Sequence, residues 1–171
     1  MFAKLKYLYW RFIKSPIEQA RHLGVNIGKD CFISTRHWGT EPYLITIGDH
    51  VQVTANVHFN THGGAHVVRR YDPSFDCFGK IVVKDYAYIG SDSHIMPGVT
   101  IGKGALIAAG SIATKSVPDN ELWGGVPAHF ICTVDEYIKR NEPYNLKTYG
   151  LSMQEKKQVL LNTPDEKFIH K

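Results

Sequence analysis

The sequence predicts an all-β fold: a parallel solenoid of stacked β-coils with a helix before it, one loop extruded from it and short helices after it. Three observations carry that prediction. Counting by six from Val83 gives Ile89, Ile95, Ile101, Ile107 and Ala113, an unbroken aliphatic series. Four residues after each member come Ala87, Ser93, Val99, Ala105, Ser111 and Val117, all small or β-branched. Gly98, Gly104 and Gly110 recur at a further fixed offset, where tight corners between short strands need positive φ. A helix would show apolar spacings of about three and four, whereas this longer period suits coils whose inward side chains form ladders.

The elements follow in chain order. Residues 1–24 read as helical. Lys4, Tyr7, Arg11 and Lys14 fall on one stripe, and Phe2, Leu5, Leu8, Trp10, Phe12 and Ile13 cover most of the remainder, up to the break at Ser15-Pro16. A small-residue cleavage site is missing and the basic residues run through the apolar stretch, so the segment is expected to be a mature helix and not a secretory signal. This helix packs on the body of the protein or lies on an anionic membrane surface through residues 1–14; packing is the commoner fate of aromatic faces. The coils occupy residues 25–131. Ile27 and Ile33 are out of phase by two with Ile47, Val53 and Phe59, which implies a small insertion around His37 to Tyr43. Ile47 and Val83 are thirty-six residues apart, a multiple of six, so a loop over 61–80 can leave the solenoid without losing register. The tail, 132–171, holds three patterns of the capping-box type, Thr133 to Glu136, Ser152 to Glu155 and Thr163 to Glu166, each expected to start a short helix. Such helices would cover the open strand edge of the final coil.

Composition narrows the function. A chain of 171 residues fits a single domain with its own core. With 43% hydrophobic and 21% charged residues and no apolar run of about 20, it reads as soluble or surface-bound. A formal charge of +4 without dense Lys/Arg blocks argues against nucleic acid and suits a small phosphate-bearing ligand. Cys31, Cys77 and Cys132 form no CxxC pair, so neither a disulfide framework nor a zinc ribbon is expected, and a reducing cytoplasm is the default compartment. If residues 1–14 bind lipid, the location becomes the inner face of the membrane.

The segments ITIGDHVQVTANV and IVVKDYAYIGSDSHIMPGVTIGKGALIAAGSIATKSVPDNELWGGVPAHFI resemble the hexapeptide-repeat acyltransferases, in particular galactoside and maltose O-acetyltransferases and their polysaccharide-modifying relatives. The likeness covers most of Val25 to Ile131, and its GSIATKSVPDN to GGVPA ending is specific. The resemblance implies a left-handed parallel β-helix, a homotrimer and an acetyl-CoA site in the cleft between subunits. Handedness rests on the resemblance alone, since most parallel crossovers run the other way.

The stretch NTHGGAH, Asn60 to His66, stands where the repeat stops. Taken by itself, His62 is one of nine histidines, on a polar loop. The resemblance maps a catalytic histidine at the loop's base onto Thr61-His62. An imidazole can take the proton of a sugar hydroxyl as its oxygen attacks a thioester, so no covalent acyl-enzyme is needed. His66 is the second candidate base and otherwise an acceptor contact; Arg69 and Arg70 suit an anionic group on the acceptor. By resemblance, Tyr88 lines the cleft where relatives carry tryptophan, Ser91 and Ala109 contact the coenzyme arm, and Thr114 and Lys115 lie near its nucleotide end. His129 and Cys132 stand where sugar acetyltransferases carry phosphate-binding arginines. No asparagine near Ser34 to Arg36 matches the one that reads galactosides, which argues against a galactoside or maltose acceptor.

A metal site is the rival reading, because γ-class carbonic anhydrases share a similar β-helix. Here the matching coil offers Ser91 and Met96, with His94 out of phase, so no zinc site is expected. The leading expectation is an acetyl-CoA-dependent sugar O-acetyltransferase of surface-polysaccharide biosynthesis. The alternatives are N-acetylation of an amino sugar or nucleotide-amino sugar, and a non-catalytic β-helix scaffold.

Overall fold

The structure, a computed structural model, describes residues 8–170. The expectations that involve Phe2, Lys4, Leu5 and Tyr7 lie outside the described residues. Among the described residues two compact units emerge, 8–134 and 135–170.

In the first unit, successive strands fall in turn on three parallel sheets. Sheet A holds β1 (Asn26–Ile27), β3 (Ile45–Ile47), β6 (Ile81–Val83) and β9 (Thr100–Ile101). Sheet B holds β2 (Phe32–Ile33), β4 (Gln52–Val53), β7 (Tyr88–Ile89) and β10 (Leu106–Ile107), then β12 (Glu121–Gly124) and β13 (His129–Thr133). Sheet C holds β5 (His58–Phe59), β8 (His94–Ile95) and β11 (Ile112–Ala113). The hexad residues stack as read: Ile47 on Val83 and Ile101, Val53 on Ile89 and Ile107, Phe59 on Ile95 and Ala113. All nine are buried, and they form the core with the small residues between them. Because each ladder continues across the 61–80 segment, the loop leaves and rejoins the coil in register.

The first coil carries the phase slip. Ile27 pairs with Ile47 and Ile33 with Val53, but Trp38 stacks on Phe59, ring centroids 5.0 Å apart. Ile33 and Trp38 are five residues apart where Val53 and Phe59 are six, so the coil is one residue short there and longer afterwards. The surplus forms residues 39–44, which end in a 3-10 turn, Pro42–Leu44.

Two kinds of glycine appear where the repeat suggested one. Gly98, Gly104 and Gly110 do have positive φ, and so do Asp30, His50, Asn56, Tyr86 and Asp92 at equivalent corners. Gly90 and Gly102, which follow the aliphatic positions, are instead sites of close approach. A Cβ on Gly90 would strike the backbone N of Ala109 in the coil below, and one on Gly102 that of Asp119.

The ends differ from expectation. Ser15-Pro16 both ends one segment and starts another: after a π-helical turn at Tyr9–Ile13, helix α1 (Pro16–Leu23) begins with Pro16 in its first turn and a reciprocal Ser15/Glu18 capping box. Trp10 stacks on His22 at 3.8 Å, and the Arg36 guanidinium donates to the carbonyls of Trp10 and Lys14 and to Gln19 Oε1. Those bonds tie the N-terminal segment to the first coil, while Phe12 and Ile13 are 69% and 71% exposed. At the other end, the strand edges of the last coil are met by the chain that follows. Val117 bridges Ile101, β12 pairs with β10 and is itself covered by antiparallel β13, and Gly125 and Ala128 flank Ile112. Helix α3 (Val134–Asn141) and helix α4 (Met153–Leu161) form at two of the three expected starts, the latter with a full Ser152/Glu155 box. The third fails: Thr163 Oγ1 donates to Val159 O in the preceding helix, and only a 3-10 turn, Asp165–Lys167, follows.

Candidate active site

Both irregularities of the repeat lie at one corner of the solenoid. Segment 37–41 of the first coil runs beside segment 58–62 of the second: His37 bridges His58, and the Phe59 N–H donates to His37 O at 3.0 Å. Further along, the extruded loop is closed at its stem by Gly63 N–H to Cys77 O (3.1 Å) and Gly79 N–H to Thr61 O (2.9 Å). Within it, a single helical turn, α2 (Ala65–Val68), doubles the chain back. The loop is therefore a folded excursion with a pinned base.

At that base the His62 Nδ1 lies 3.0 Å from Glu41 Oε2 and 3.2 Å from Thr40 Oγ1. Glu41 is held from three directions: Thr61 Oγ1–H donates to Oε2 at 2.6 Å, Thr40 Oγ1–H donates to Oε1 at 2.7 Å, and the imidazole makes the third contact. Hydrogen bonds from Thr40, Thr61 and His62, in that order, hold the carboxyl down to about 2. An ionised carboxylate only accepts, so Nδ1 carries a proton, and in the neutral ring it is Nε2 that holds the lone pair. Glu41 thus fixes both the tautomer and the ring orientation. Thr61 is fully buried, whereas the His62 side chain is 47% exposed and so open to a partner.

The pair lines a cleft of about 400 Å3 with Gly63, Gly64, His66, Arg69, Asp76 and Phe78, within the range of small-ligand sites. Phe78 presents its ring to His62 at 6.5 Å and 72°. Arg69 is fixed by Asp76 (3.1 Å) and by Phe75 O (3.0 Å), so its charge is largely balanced. Arg70 instead lies over Tyr71, at 4.5 Å from the ring centre.

Of the residues read from sequence, His62, His66 and Arg69 meet in this cleft, and the others lie elsewhere. Tyr88 is on the outer face of sheet B, and Ser91 and Ala109 precede the strands of sheet C. Ser91 Oγ donates to Thr54 Oγ1 at 3.0 Å. Thr114 and Lys115 follow the strands of sheet C and are exposed. His129 is exposed on β13, whereas Cys132 is buried and faces the core. Cys132 therefore cannot stand in for a phosphate-binding arginine. Among the described residues no group of three or more His, Cys, Asp or Glu is placed to hold a metal ion.

Glu41 is the residue that the sequence did not single out. The signal it leaves is indirect: an acidic residue inside a phase slip, one coil away from the longer interruption.

A family model described as bacterial transferase hexapeptide (six repeats) matches residues 80–115. Protein CapG of Staphylococcus aureus is 42% identical over 167 residues, spanning 92% of this chain and 95% of that protein. The chain belongs to the hexapeptide-repeat acetyltransferase family. Within it, the galactoside O-acetyltransferase of Escherichia coli K12 is 30% identical over 151 residues, 87% of this chain and 71% of that one. Among solved structures, the hexapeptide-repeat acetyltransferase of Vibrio cholerae complexed with acetyl coenzyme A superposes with a TM-score of 0.59. It is 25% identical, over 74% of this chain and 81% of that one. Membership makes this protein an acyltransferase.

Proposed function

We propose that this hexapeptide-repeat protein transfers an acetyl group from acetyl-CoA to a sugar hydroxyl, with His62 as general base. The single observation that carries the reading is the Glu41–His62 pair, in which Glu41 engages Nδ1 and so leaves Nε2 as the basic nitrogen of the neutral ring, at an open cleft. In the proposed step, Nε2 takes the hydroxyl proton as the oxygen attacks the thioester carbonyl carbon. The tetrahedral oxyanion collapses, the C–S bond breaks, and the coenzyme thiolate leaves and recovers the proton from Nε2. Glu41 stabilises the transient imidazolium without accepting its proton, since its carboxyl is held far below neutral.

The coenzyme is proposed to run along the solenoid of a left-handed homotrimer, between subunits. In support, Ser91 and Ala109 lie on one edge of sheet C and Thr114 and Lys115 on the other. A groove between two protomers can draw one edge from each. The acceptor proposed is a unit of a surface polysaccharide, as for the polysaccharide-modifying relatives that the sequence resembles. His66 and Arg69 are its contacts.

The test is coenzyme A thiol release measured over a panel of sugars and nucleotide sugars. His62→Ala is expected to lose about 10²- to 10⁴-fold in turnover while keeping its oligomeric state. Near wild-type release in that variant removes His62 as the base.

A further inference from the structure

A second cluster of titratable groups lies beside the site without belonging to it. His37, His58 and His94 stack in one column on the outer face of sheet C, with centroids 4.2 and 4.7 Å apart and planes within 7° and 12° of parallel. The column ends at Ile112, the partner of His94 on the next strand. Ring-on-ring contact of this kind suits neutral imidazoles, because two protonated rings at that spacing repel.

The column connects to Glu41 and His62 rung by rung. His37 and His58 are the first rung of the paired segments 37–41 and 58–62. Trp38 on Phe59 is the second, with planes 8° apart. At the third, Gly39 sits so close that a Cβ would lie 2.8 Å from Phe59 O and 3.2 Å from Thr61 Oγ1. The last rung is the Thr61–Glu41–His62 hydrogen-bond set. The two segments are thus in close contact from the first rung to the last, which gives a change in spacing at the first a packed route to Glu41 and His62.

Resting on the reading of His62 as base, we propose that His37, His58 and His94 are a protonation-sensitive positioning column. With its rings neutral it aligns the two segments and seats Glu41 on His62; in acid it loosens and unseats them. Burial, and then the neighbouring His37 and His94, push the His58 imidazole below its ordinary value; Asp92, which accepts from Asn56 Nδ2 at 3.1 Å, opposes them. For a histidine whose folded value is depressed, the stabilising contribution is whole above the unfolded value of 6.5 and is lost as pH falls below it.

The test uses His58→Phe and His94→Phe, which keep a flat ring and remove a proton site. Turnover at saturating acceptor is compared at about pH 5.5 and about pH 8 for each protein against itself. Wild type loses rate through His62 and through the full column, the variants through His62 and a column with one proton site fewer. Their acid-to-neutral ratio is therefore expected to exceed that of wild type by about three- to tenfold, with the change in kcat and not in acceptor KM. In parallel, the melting midpoint of the unliganded protein should fall less with acid in the variants. Wild-type ratios in both variants, or a change confined to KM, overturn the column. If His58→Phe fails to fold, His37→Phe, which removes the other ring of the first rung, decides. Near wild-type turnover of His62→Ala at about pH 8, where the column is neutral, would instead remove the base, and the unliganded melting comparison would still report on the column.

Discussion

Glu41 shows how three neighbours fix one side chain. Three donors converge on its carboxylate, and the one that enters the proposed chemistry is the His62 Nδ1–H at 3.0 Å. Glu41→Gln removes the charge that favours the imidazolium, and turnover is expected to fall about ten- to hundredfold with acceptor KM little changed. The same substitution tests linkage. A carboxyl depressed from 4.5 to about 2 contributes stability that is whole above about pH 4.5 and is lost as pH falls through about 2. Denaturant midpoints of Glu41→Gln should therefore depend less on pH in that window than those of the parent. His62 was legible because a histidine at the base of an interruption matches a family motif. Glu41 was not, because nothing local tells which acid inside an insertion reaches across to the next coil. Cys132, read as a departure from an arginine position of the family, is buried.

Among the elements, the coils are held by ladders and by glycines that let neighbouring coils approach. Ile95, fully buried between Phe59 and Ala113, should cost about 2–5 kcal/mol when cut to alanine, read by urea unfolding. Gly90→Ala should cost about 1–3 kcal/mol through overpacking, since its Cβ would meet the backbone of Ala109 and not a side chain free to move. Gly110→Ala is the contrast. There a Cβ meets nothing within 4 Å, so the cost is that of positive φ alone, about 1–2 kcal/mol. The six-residue period made the strands legible, but it could not separate these two glycine roles. One is a local dihedral requirement and the other a contact between coils. The tail was half legible: Ser152 caps its helix because Glu155 closes the box, whereas Thr163 finds the carbonyl of Val159 first.

At the scale of the whole molecule, the proposed coenzyme contacts lie on opposite edges of one sheet. The proposed trimer would bring two such edges together in a groove between protomers, and analytical ultracentrifugation of the apo protein should give a trimeric mass. Acetyl-CoA should raise the melting midpoint, since binding to the folded state alone stabilises it; absence of any shift would favour a non-catalytic scaffold. The sequence by itself determined the hexad ladders, the register held across the 61–80 loop, the phase slip in the first coil and the histidine at the loop's base. Each of these is a property of spacing along the chain, and a regular coil converts spacing directly into position. Only the tertiary structure decided that the two interruptions share one corner, that Glu41 orients His62 there, and that three histidines stack into a column beside them. Those are relations between coils, set by pairings across twenty to thirty-six residues of chain, and no local pattern encodes which side chains such pairings bring into contact.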